Sequence, residues 1–423
     1  MNRLFSPVAW SNRTNLYEVN VRQYTPEGTF EAFSKHLPRL RDMGVETLWF
    51  MPITPISVEK RQGTLGSYYA CSDYTAINPE FGTLDDFREL VHEAQTLGFK
   101  VIIDWVANHT GADHIWTQTN PGFYKRNADG QFYDTNGWFD VIDLNYYDGQ
   151  MRTAMIEAME FWVKECNIDG FRCDMAHLIP LDFWRQARLE LDKIKPLFWL
   201  AETEDYHYLD VFDCCYAWKW MHGTDKYSKG EKSITDLKEI LNRYNIDFPA
   251  ETSHLFFTTN HDENSWNGTE YEKYGPAAKN FAVFGSTWNG IPLVYSGQEL
   301  PNTKRLKFFD KDLIEWKEKT ELHSFYKTLF NLRAKHPAVD ATKASKPIII
   351  PTHSDQYVFA YLRRSGTKEL LVLLNLSPNK LFLQLPDGYV YGKYRNVFTD
   401  AKVDVIPSYS FELNAWDCLL LEK

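Results

Sequence analysis

The sequence of 423 residues lacks several features that would assign it to common classes of protein. No apolar run approaches the ~18 residues that a membrane-spanning helix needs, so we expect no membrane partner. The net charge is −11 and basic blocks are absent, which argues against nucleic acid and anionic membrane surfaces as partners. No glycine-rich phosphate loop follows an early strand, which disfavours an open dinucleotide-binding sheet.

Cysteine is also scarce, with six residues at positions 71, 166, 173, 214, 215 and 418. Their spacing matches neither a metal site nor a disulfide framework. We therefore predict buried free thiols in a reducing compartment. Residues 1–7 lack the apolar core of a signal peptide, which predicts a cytoplasmic protein. A periplasmic or secreted location is the alternative if a signal peptide was trimmed.

Apolar runs of strand length alternate with helical patterns over most of the chain. Continuous runs of this kind are typical of parallel strands that are buried on both faces. Eight such strands are predicted, at 15–21, 47–52, 101–106, 170–174, 197–202, 211–217, 255–262 and 291–296. Helices are predicted at 30–43, 84–97, 151–163, 181–191, 234–244 and 321–335. The pattern predicts a closed (β/α)8 TIM barrel, with an open doubly wound sheet as the alternative.

Two segments depart from this alternation. Residues 111–145 carry turn signals and interleaved aromatic residues, and they predict a short, non-helical inserted domain after the third strand. From about residue 340, short strands alternate with Gly and Pro turns, which predicts an antiparallel β-sandwich. The predicted domains are therefore a barrel at 1–110 and 146–339, an insertion at 111–145 and a C-terminal domain at 340–423.

The fourth predicted strand carries charge at its C-terminal end. Residues i and i+2 of a strand face the same side, so Arg172 and Asp174 point the same way and Cys173 points the opposite way. A charged pair is costly to bury unless it is hydrogen-bonded. The pair is either a structural salt bridge or part of a functional site.

Other predicted strands also end in polar residues, and a barrel of this type keeps its active site at those ends. The rim residues are Asp104, Asn108, His109, Arg172, Asp174, Glu202, His261 and Asp262. Two carboxyl groups across a cleft are the equipment for glycoside hydrolysis. Arg172 should keep Asp174 ionised as a nucleophile, whereas the apolar run before Glu202 should raise its pKa and suit it to general acid catalysis. Rim salt bridges are the alternative.

Five stretches of the chain, taken in order, resemble the motifs of the α-amylase family of glycoside hydrolases and its transglycosylating relatives. They are Asp-Trp-Val-Ala-Asn-His at 104–109, Gly-Phe-Arg-Cys-Asp at 170–174, Glu202, Asn-His-Asp at 260–262, and the stretch 290–299. Each motif is weak alone, whereas their common order is specific. The resemblance covers most of the chain.

The resemblance implies a role for each matching residue. Asp174 would be the nucleophile, Glu202 the general acid/base and Asp262 the group that binds sugar hydroxyls and stabilises the transition state. The implied substrate-binding residues are Tyr69, Asp104, His109, Arg172 and His261. Tyr68 competes with Tyr69 for the role of the stacking tyrosine.

The sequence departs from the family pattern at two places. His177-Leu178 stands where many α-amylases carry Lys-His, which places the usual lysine contact on the leaving-group side in doubt. Asn145 stands where calcium-binding relatives carry Asp, and calcium usually takes six to eight oxygen ligands. We therefore expect that no cofactor is required, with Asn108 as a ligand if calcium is bound.

These observations predict a retaining hydrolase of α-1,4-linked glucans or maltooligosaccharides, with its two catalytic carboxyl groups about 5–5.5 Å apart. One alternative is a transglycosylase or isomerase on the same scaffold, since it would share every catalytic residue. The other is a non-catalytic glucan-binding relative, which the retained acids disfavour.

Overall fold

The computed structural model describes residues 4–249, 252–341 and 346–423. Eight parallel strands form a closed barrel in chain order, and the eighth strand pairs with the first. The strands are Leu16–Val19, Thr47–Phe50, Lys100–Trp105, Gly170–Cys173, Phe198–Ala201, Cys214–Tyr216, Ser253–Phe256 and Ile291–Tyr295. The predicted TIM barrel is confirmed, and the alternative of an open sheet is wrong.

The helices pack around this barrel. Their bounds are Phe30–Ser34, Leu37–Met43, Leu84–Thr96, Gly149–Cys166, Leu181–Leu191, Trp218–Ser228, Ile234–Asp247, Glu270–Tyr274, Ala278–Thr287 and His323–Lys335, with a single turn at Val21–Tyr24. The prediction of a single helix at 30–43 is wrong, because the chain forms two helices there. Pro38 lies at the start of the second one, where its missing N–H costs no helical hydrogen bond.

The sixth and seventh barrel strands are shorter than predicted. The sixth is Cys214–Tyr216 instead of 211–217, and the seventh is Ser253–Phe256 instead of 255–262. His261 and Asp262 therefore lie beyond the strand, in the loop above the barrel, where their side chains can face its axis.

The segment after the third barrel strand forms a small excursion above the barrel. Strand His109–Gly111 pairs antiparallel with strand Val141–Asp143, and His109 is in register with Asp143. Contrary to the expectation of a non-helical segment, Trp116–Thr119 forms one helical turn. The antiparallel pair fixes the chain position of His109 at the rim.

The C-terminal part forms a six-stranded antiparallel sheet and a two-stranded sheet, as the prediction of an antiparallel β domain requires. The strands are Ile348–Ile349, Val358–Ser365, Lys368–Asn375, Leu381–Gln384, Gly392–Asn396, Lys402–Val405, Ser410–Leu413 and Cys418–Glu422.

One hydrophobic cluster joins the barrel to the C-terminal sheet. Trp220 stacks on Phe284 with a ring separation of 4.0 Å, and Phe284 meets Phe359 of the C-terminal sheet at 5.7 Å. The hydroxyl groups of Thr287 and Tyr361 lie 2.5 Å apart. The barrel helix Ala278–Thr287 is therefore covered on its outer side by the C-terminal domain.

All six cysteines fall within the described ranges and are free thiols, and five of them are buried. In the same ranges, none of the helices combines the length and the apolar character that crossing a membrane requires.

Candidate active site

The site is built around the buried guanidinium group of Arg172, on the fourth barrel strand. Its Nη1 donates to Asp104 Oδ1 and to Asp174 Oδ1, both at 2.8 Å. Its Nη2 lies 2.8 Å from Glu202 Oε2 as an ion pair without hydrogen-bond geometry. Its Nε donates to the hydroxyl of Tyr216 at 3.0 Å. Asp174 follows Cys173, the last residue of the strand, and lies on the same side as Arg172, as the i and i+2 relation predicts.

One positive charge is therefore shared by three carboxyl groups. Burial raises the pKa of Glu202 to about 7, and Arg172 only partly opposes this shift. Burial also raises the pKa of Asp174, to about 6. Arg172 opposes this shift, as the sequence predicts, but burial outweighs its effect and the neighbouring Asp104 adds to the shift, so Asp174 is mainly ionised above about pH 6. Asp174 nevertheless remains more acidic than Glu202.

Asp104 accepts a hydrogen bond from Arg172 and does not line the cavity. Its side chain is fully buried, and its Oδ2 accepts hydrogen bonds from Trp49 Nε1 at 3.2 Å and from the Tyr69 hydroxyl at 3.0 Å. With Arg172 on its other oxygen, Asp104 is satisfied by three donors. Its place under the floor of the site suits it to orienting Arg172 and Tyr69.

His261 is held between two carboxyl groups. Its Nδ1 lies 2.5 Å from Glu18 Oε1, and its Nε2 lies 3.3 Å from Asp262 Oδ2. Although burial opposes the charge, these two acids raise the pKa of His261 well above its ordinary value. Burial likewise opposes the charge of Asp262, but His261 outweighs it and lowers the pKa of Asp262. Asp262 is therefore an ionised acid, and its side chain is 38% exposed.

Tyr69, and not Tyr68, faces the site. The ring of Tyr69 stacks on His261 at 5.3 Å, and its hydroxyl lies 2.7 Å from His261 Nε2. Tyr68 instead donates to Asn20 and lies under the guanidinium group of Arg22. The structure thus distinguishes Tyr69, which lines the cavity, from Tyr68, which does not, a choice that the sequence did not decide.

The turn after Asp174 orients Glu202. Met175 adopts a left-handed conformation with φ of 40°, which is unusual for a residue with a side chain. Its backbone N–H donates to Glu202 Oε2 at 2.8 Å. The same turn therefore carries Asp174 and fixes the acid opposite it.

A cavity of about 320 Å³ lies above these groups. Asp174, Glu202, Asp262, Tyr69 and His109 line it, whereas Arg172 and His261 lie beneath its floor. Burial lowers the pKa of His109, so its ring is neutral and can donate or accept a hydrogen bond. A larger groove, of about 1140 Å³, lies between helix His323–Lys335 and the C-terminal domain and contains none of these groups.

Nine further residues line the cavity, and of these only Trp138 belongs to a set that the sequence indicated, the aromatic residues of the insertion. The nine are Gln62, Ser67, Trp138, Asp140, Val141, Met175, Trp266, Phe308 and Phe309. Trp138 stands edge-on to His109, at 5.2 Å between ring centroids, and Trp266 packs on Phe308 at 5.5 Å. The sequence pattern does not distinguish Trp138 from the other aromatic residues of the insertion. The position of Trp266 four residues after Asp262 was the available signal for the other wall.

Asp143, two residues before Asn145, and Asn108 both contact other groups of the protein. Asp143 Oδ2 accepts hydrogen bonds from Lys125 Nζ at 2.9 Å and from Thr135 Oγ1 at 2.5 Å. The Asn108 amide contacts His109 Nδ1 at 3.2 Å. Over residues 4–249, 252–341 and 346–423, no group of three His, Cys, Asp or Glu side chains is placed to hold a metal ion.

Comparison with known proteins identifies the family. The model of the alpha amylase catalytic domain matches residues 9–125 and 122–210, and that of the alpha amylase C-terminal all-beta domain matches residues 349–408. The structure of a noncanonic maltogenic alpha-amylase, AmyB from Thermotoga neapolitana, is 31% identical, with a TM-score of 0.90 over 97% of this chain and 98% of that chain. An alpha-amylase from Lactobacillus plantarum is 28% identical, with a TM-score of 0.89 over 97% of this chain and 99% of that chain.

A curated relative shows how much of a longer protein the chain matches. The alpha-amylase MalA of Haloarcula japonica is 27% identical over 95% of this chain, which spans 62% of the length of that relative. The likeness to the AmyB structure, in contrast, covers nearly the whole of both chains. Together with the five ordered motifs and the acids gathered around Arg172, these matches show that the chain belongs to the α-amylase family of glycoside hydrolases.

Proposed function

We propose that the chain hydrolyses α-1,4-glucosidic bonds in starch-like glucans or maltooligosaccharides, with retention of anomeric configuration. The observation that carries the proposal is the pairing of Asp174 and Glu202 on one guanidinium group, with pKa values of about 6 and about 7. Different proton affinities at the same cavity provide a nucleophile and an acid near neutral pH.

The first step would form a covalent intermediate. The carboxylate of Asp174 attacks the anomeric carbon, the glycosidic C–O bond breaks, and the proton of Glu202 passes to the departing oxygen. The ionised Asp262 accepts hydrogen bonds from sugar hydroxyls beside the reaction centre. The neutral His109 is available to the same sugar from the opposite wall.

The second step would restore the enzyme. The carboxylate of Glu202 removes a proton from water, the water oxygen bonds to the anomeric carbon, and the bond to Asp174 breaks. Two displacements on one carbon give net retention. Met175 N–H and Arg172 hold Glu202 in place through both proton transfers.

The test is the digestion of maltoheptaose followed by proton NMR. We expect α-anomers to appear first and to mutarotate later, because a double displacement retains configuration. Initial release of β-anomers would contradict the proposed mechanism. Accumulation of longer oligomers or rearranged disaccharides would instead assign a transglycosylase or isomerase. Binding of maltoheptaose without any turnover would assign a non-catalytic relative.

We propose further that no structural calcium is required. The support is the ammonium group of Lys125, which neutralises the buried Asp143 and so supplies the positive charge that a metal ion would otherwise bring. Dialysis against EDTA should leave the melting temperature and kcat/KM unchanged. A loss of stability that calcium restores, and magnesium does not, would contradict this proposal.

We propose a reducing compartment, the cytoplasm, as the site of action. The cysteines support this location, since all six are free thiols and five of them are buried. Fractionation of the native host, with detection by antibody, tests it. Recovery from the medium or the periplasm would contradict it.

A further inference from the structure

Two rim loops are joined to each other on one side of the cavity. The loop after the second barrel strand meets the loop after the eighth. The N–H of Leu65 donates to the carbonyl of Phe309 at 2.9 Å. Asp310 Oδ1 accepts from the N–H of Thr64 at 2.9 Å and from its hydroxyl at 2.6 Å. We call this contact, formed by residues 63–65 and 309–310, the rim bridge.

The rim bridge depends on a close approach of two backbones. Gly63 has a φ of +63°, and a Cβ atom there would lie 2.5 Å from Phe309 Cβ and 2.9 Å from its carbonyl oxygen. A residue with a side chain would therefore push the two loops apart. No gap for a sugar chain remains between these backbones.

Buried side chains hold the rim bridge from below. Gln23 Nε2 donates to the carbonyls of Lys307 at 3.0 Å and Asp310 at 2.8 Å. Arg22 Nη1 donates to the carbonyl of Gly66 at 3.1 Å. Both side chains belong to the segment after the first barrel strand, and both residues are buried. The rim bridge is thus a supported part of the wall.

The barrel order places the rim bridge opposite the acid. In the closed barrel, the first strand stands between the second and the eighth, whereas Glu202 follows the fifth strand on the far side. Phe308, next to the rim bridge, stacks on Tyr69 at 6.2 Å with an interplanar angle of 15°. The rim bridge therefore stands on the side of Tyr69, away from Glu202.

The position of the rim bridge relative to Glu202 determines which part of the substrate it faces. The leaving group must depart on the side of the acid that protonates it, so the sugar that is transferred to Asp174 extends toward the rim bridge. We infer that the rim bridge closes the donor end of the cleft and makes the enzyme exo-acting. Substrates are α-glucan chains with a free non-reducing end, and each cut releases a short sugar from that end. This inference rests on the proposed hydrolase function.

The size of the cavity agrees with a short product. Its volume of about 320 Å³ is at the low end of the ~300–1,000 Å³ that small-ligand pockets occupy. A product of mono- or disaccharide size fits such a space, and a long glucan segment does not. The acceptor side, beyond Glu202, carries the rest of the chain.

The test compares two p-nitrophenyl maltoheptaosides, one with a free non-reducing end and one whose terminal 4- and 6-hydroxyls carry an ethylidene block. Substrate loss is followed by chromatography. We expect kcat/KM for the blocked substrate to be at least about 50-fold lower. Equal cleavage of both substrates would overturn the inference while leaving the hydrolase in place. Cleavage of neither would overturn the proposed function and the inference with it.

A double variant tests the rim bridge itself. Thr64→Ala with Asp310→Ala removes both hydrogen bonds of Asp310 to Thr64. We expect the ratio of blocked to free cleavage to rise at least about fivefold. The matched control is Asp73→Ala with Thr75→Ala. Asp73 Oδ1 accepts from the N–H of Thr75 at 2.8 Å and from its hydroxyl at 3.0 Å, so the control removes the same kind of hydrogen bonds within the loop after the second barrel strand, without affecting the loop after the eighth. An unchanged ratio in the Thr64 variant, or an equal rise in the control, would overturn the assignment of the rim bridge.

Discussion

Replacement of Asp174 by Asn should lower kcat on maltooligosaccharides by a factor on the order of 10⁴ to 10⁶, which is the scale of losing a covalent nucleophile. The amide has the shape of the carboxyl group but forms no glycosyl ester. The rest of the site should keep its arrangement, because Arg172 retains Asp104 and Glu202 as partners. Initial rates of maltoheptaose cleavage measure the loss.

The control for this variant is Asp129→Asn, since Asp129 lies on an exposed turn of the insertion. It should keep the parent rate within about twofold, in line with the small effects of surface changes. Circular dichroism and the melting temperature establish that the Asp174 variant is folded. A folded Asp174→Asn protein with more than a tenth of the parent kcat would exclude Asp174 as the nucleophile.

Replacement of Glu202 by Gln should have an effect that depends on the leaving group. With maltooligosaccharides we expect a loss of about 10² to 10⁴-fold in kcat, the usual scale for general acid–base catalysis. With an α-maltosyl fluoride, whose leaving group needs no proton, the first step should survive. The glycosyl ester on Asp174 should then accumulate, because no base activates water. Mass spectrometry of the intact protein detects it, and added azide should restore turnover.

The pH profile gives an independent measure of the same acid. Burial raises the pKa of Glu202 to about 7, and the acid acts in its protonated form, so kcat/KM should fall as the pH rises above about 7. On the acidic side, kcat/KM should fall below about pH 6 as Asp174 becomes protonated. With maltosyl fluoride, the Glu202→Gln variant should lose the alkaline fall. Persistence of that fall would assign it to another group.

The proposed catalytic acids could be chosen from the sequence because their signal is local. Arg172 and Asp174 follow from the two-residue period of a strand, and Glu202 from its place after an apolar run. Their pKa order was also accessible, since burial is readable from the flanking residues. The absolute pKa of Asp174 was not, because it depends on how many acids share Arg172, and strands three, four and five supply them from distant parts of the chain.

Three helices escaped prediction, at Trp218–Ser228, Glu270–Tyr274 and Ala278–Thr287, and two of them show a physical reason. Ala278–Thr287 buries eight of its ten residues, so few polar positions mark its helical period in the sequence. Trp218–Ser228 contains Gly223, which lowers helix propensity, yet a Cβ atom there would lie 2.6 Å from Ile240. The glycine allows close packing against the side chain of Ile240 on the neighbouring helix. The rim bridge could not be predicted either, because it joins two loops that are far apart in sequence. Thr64 and Asp310 are separated by 246 positions.

The shared cluster of Trp220, Phe284 and Phe359 has a consequence for biosynthesis. The barrel emerges from the ribosome before the C-terminal domain, and domains generally begin to fold as units while synthesis continues. Helix Ala278–Thr287 then presents an apolar outer side with nothing to cover it until strand Val358–Ser365 has emerged. The nascent barrel therefore passes through an interval in which part of its hydrophobic surface is exposed, and such surface makes a folding chain prone to aggregation.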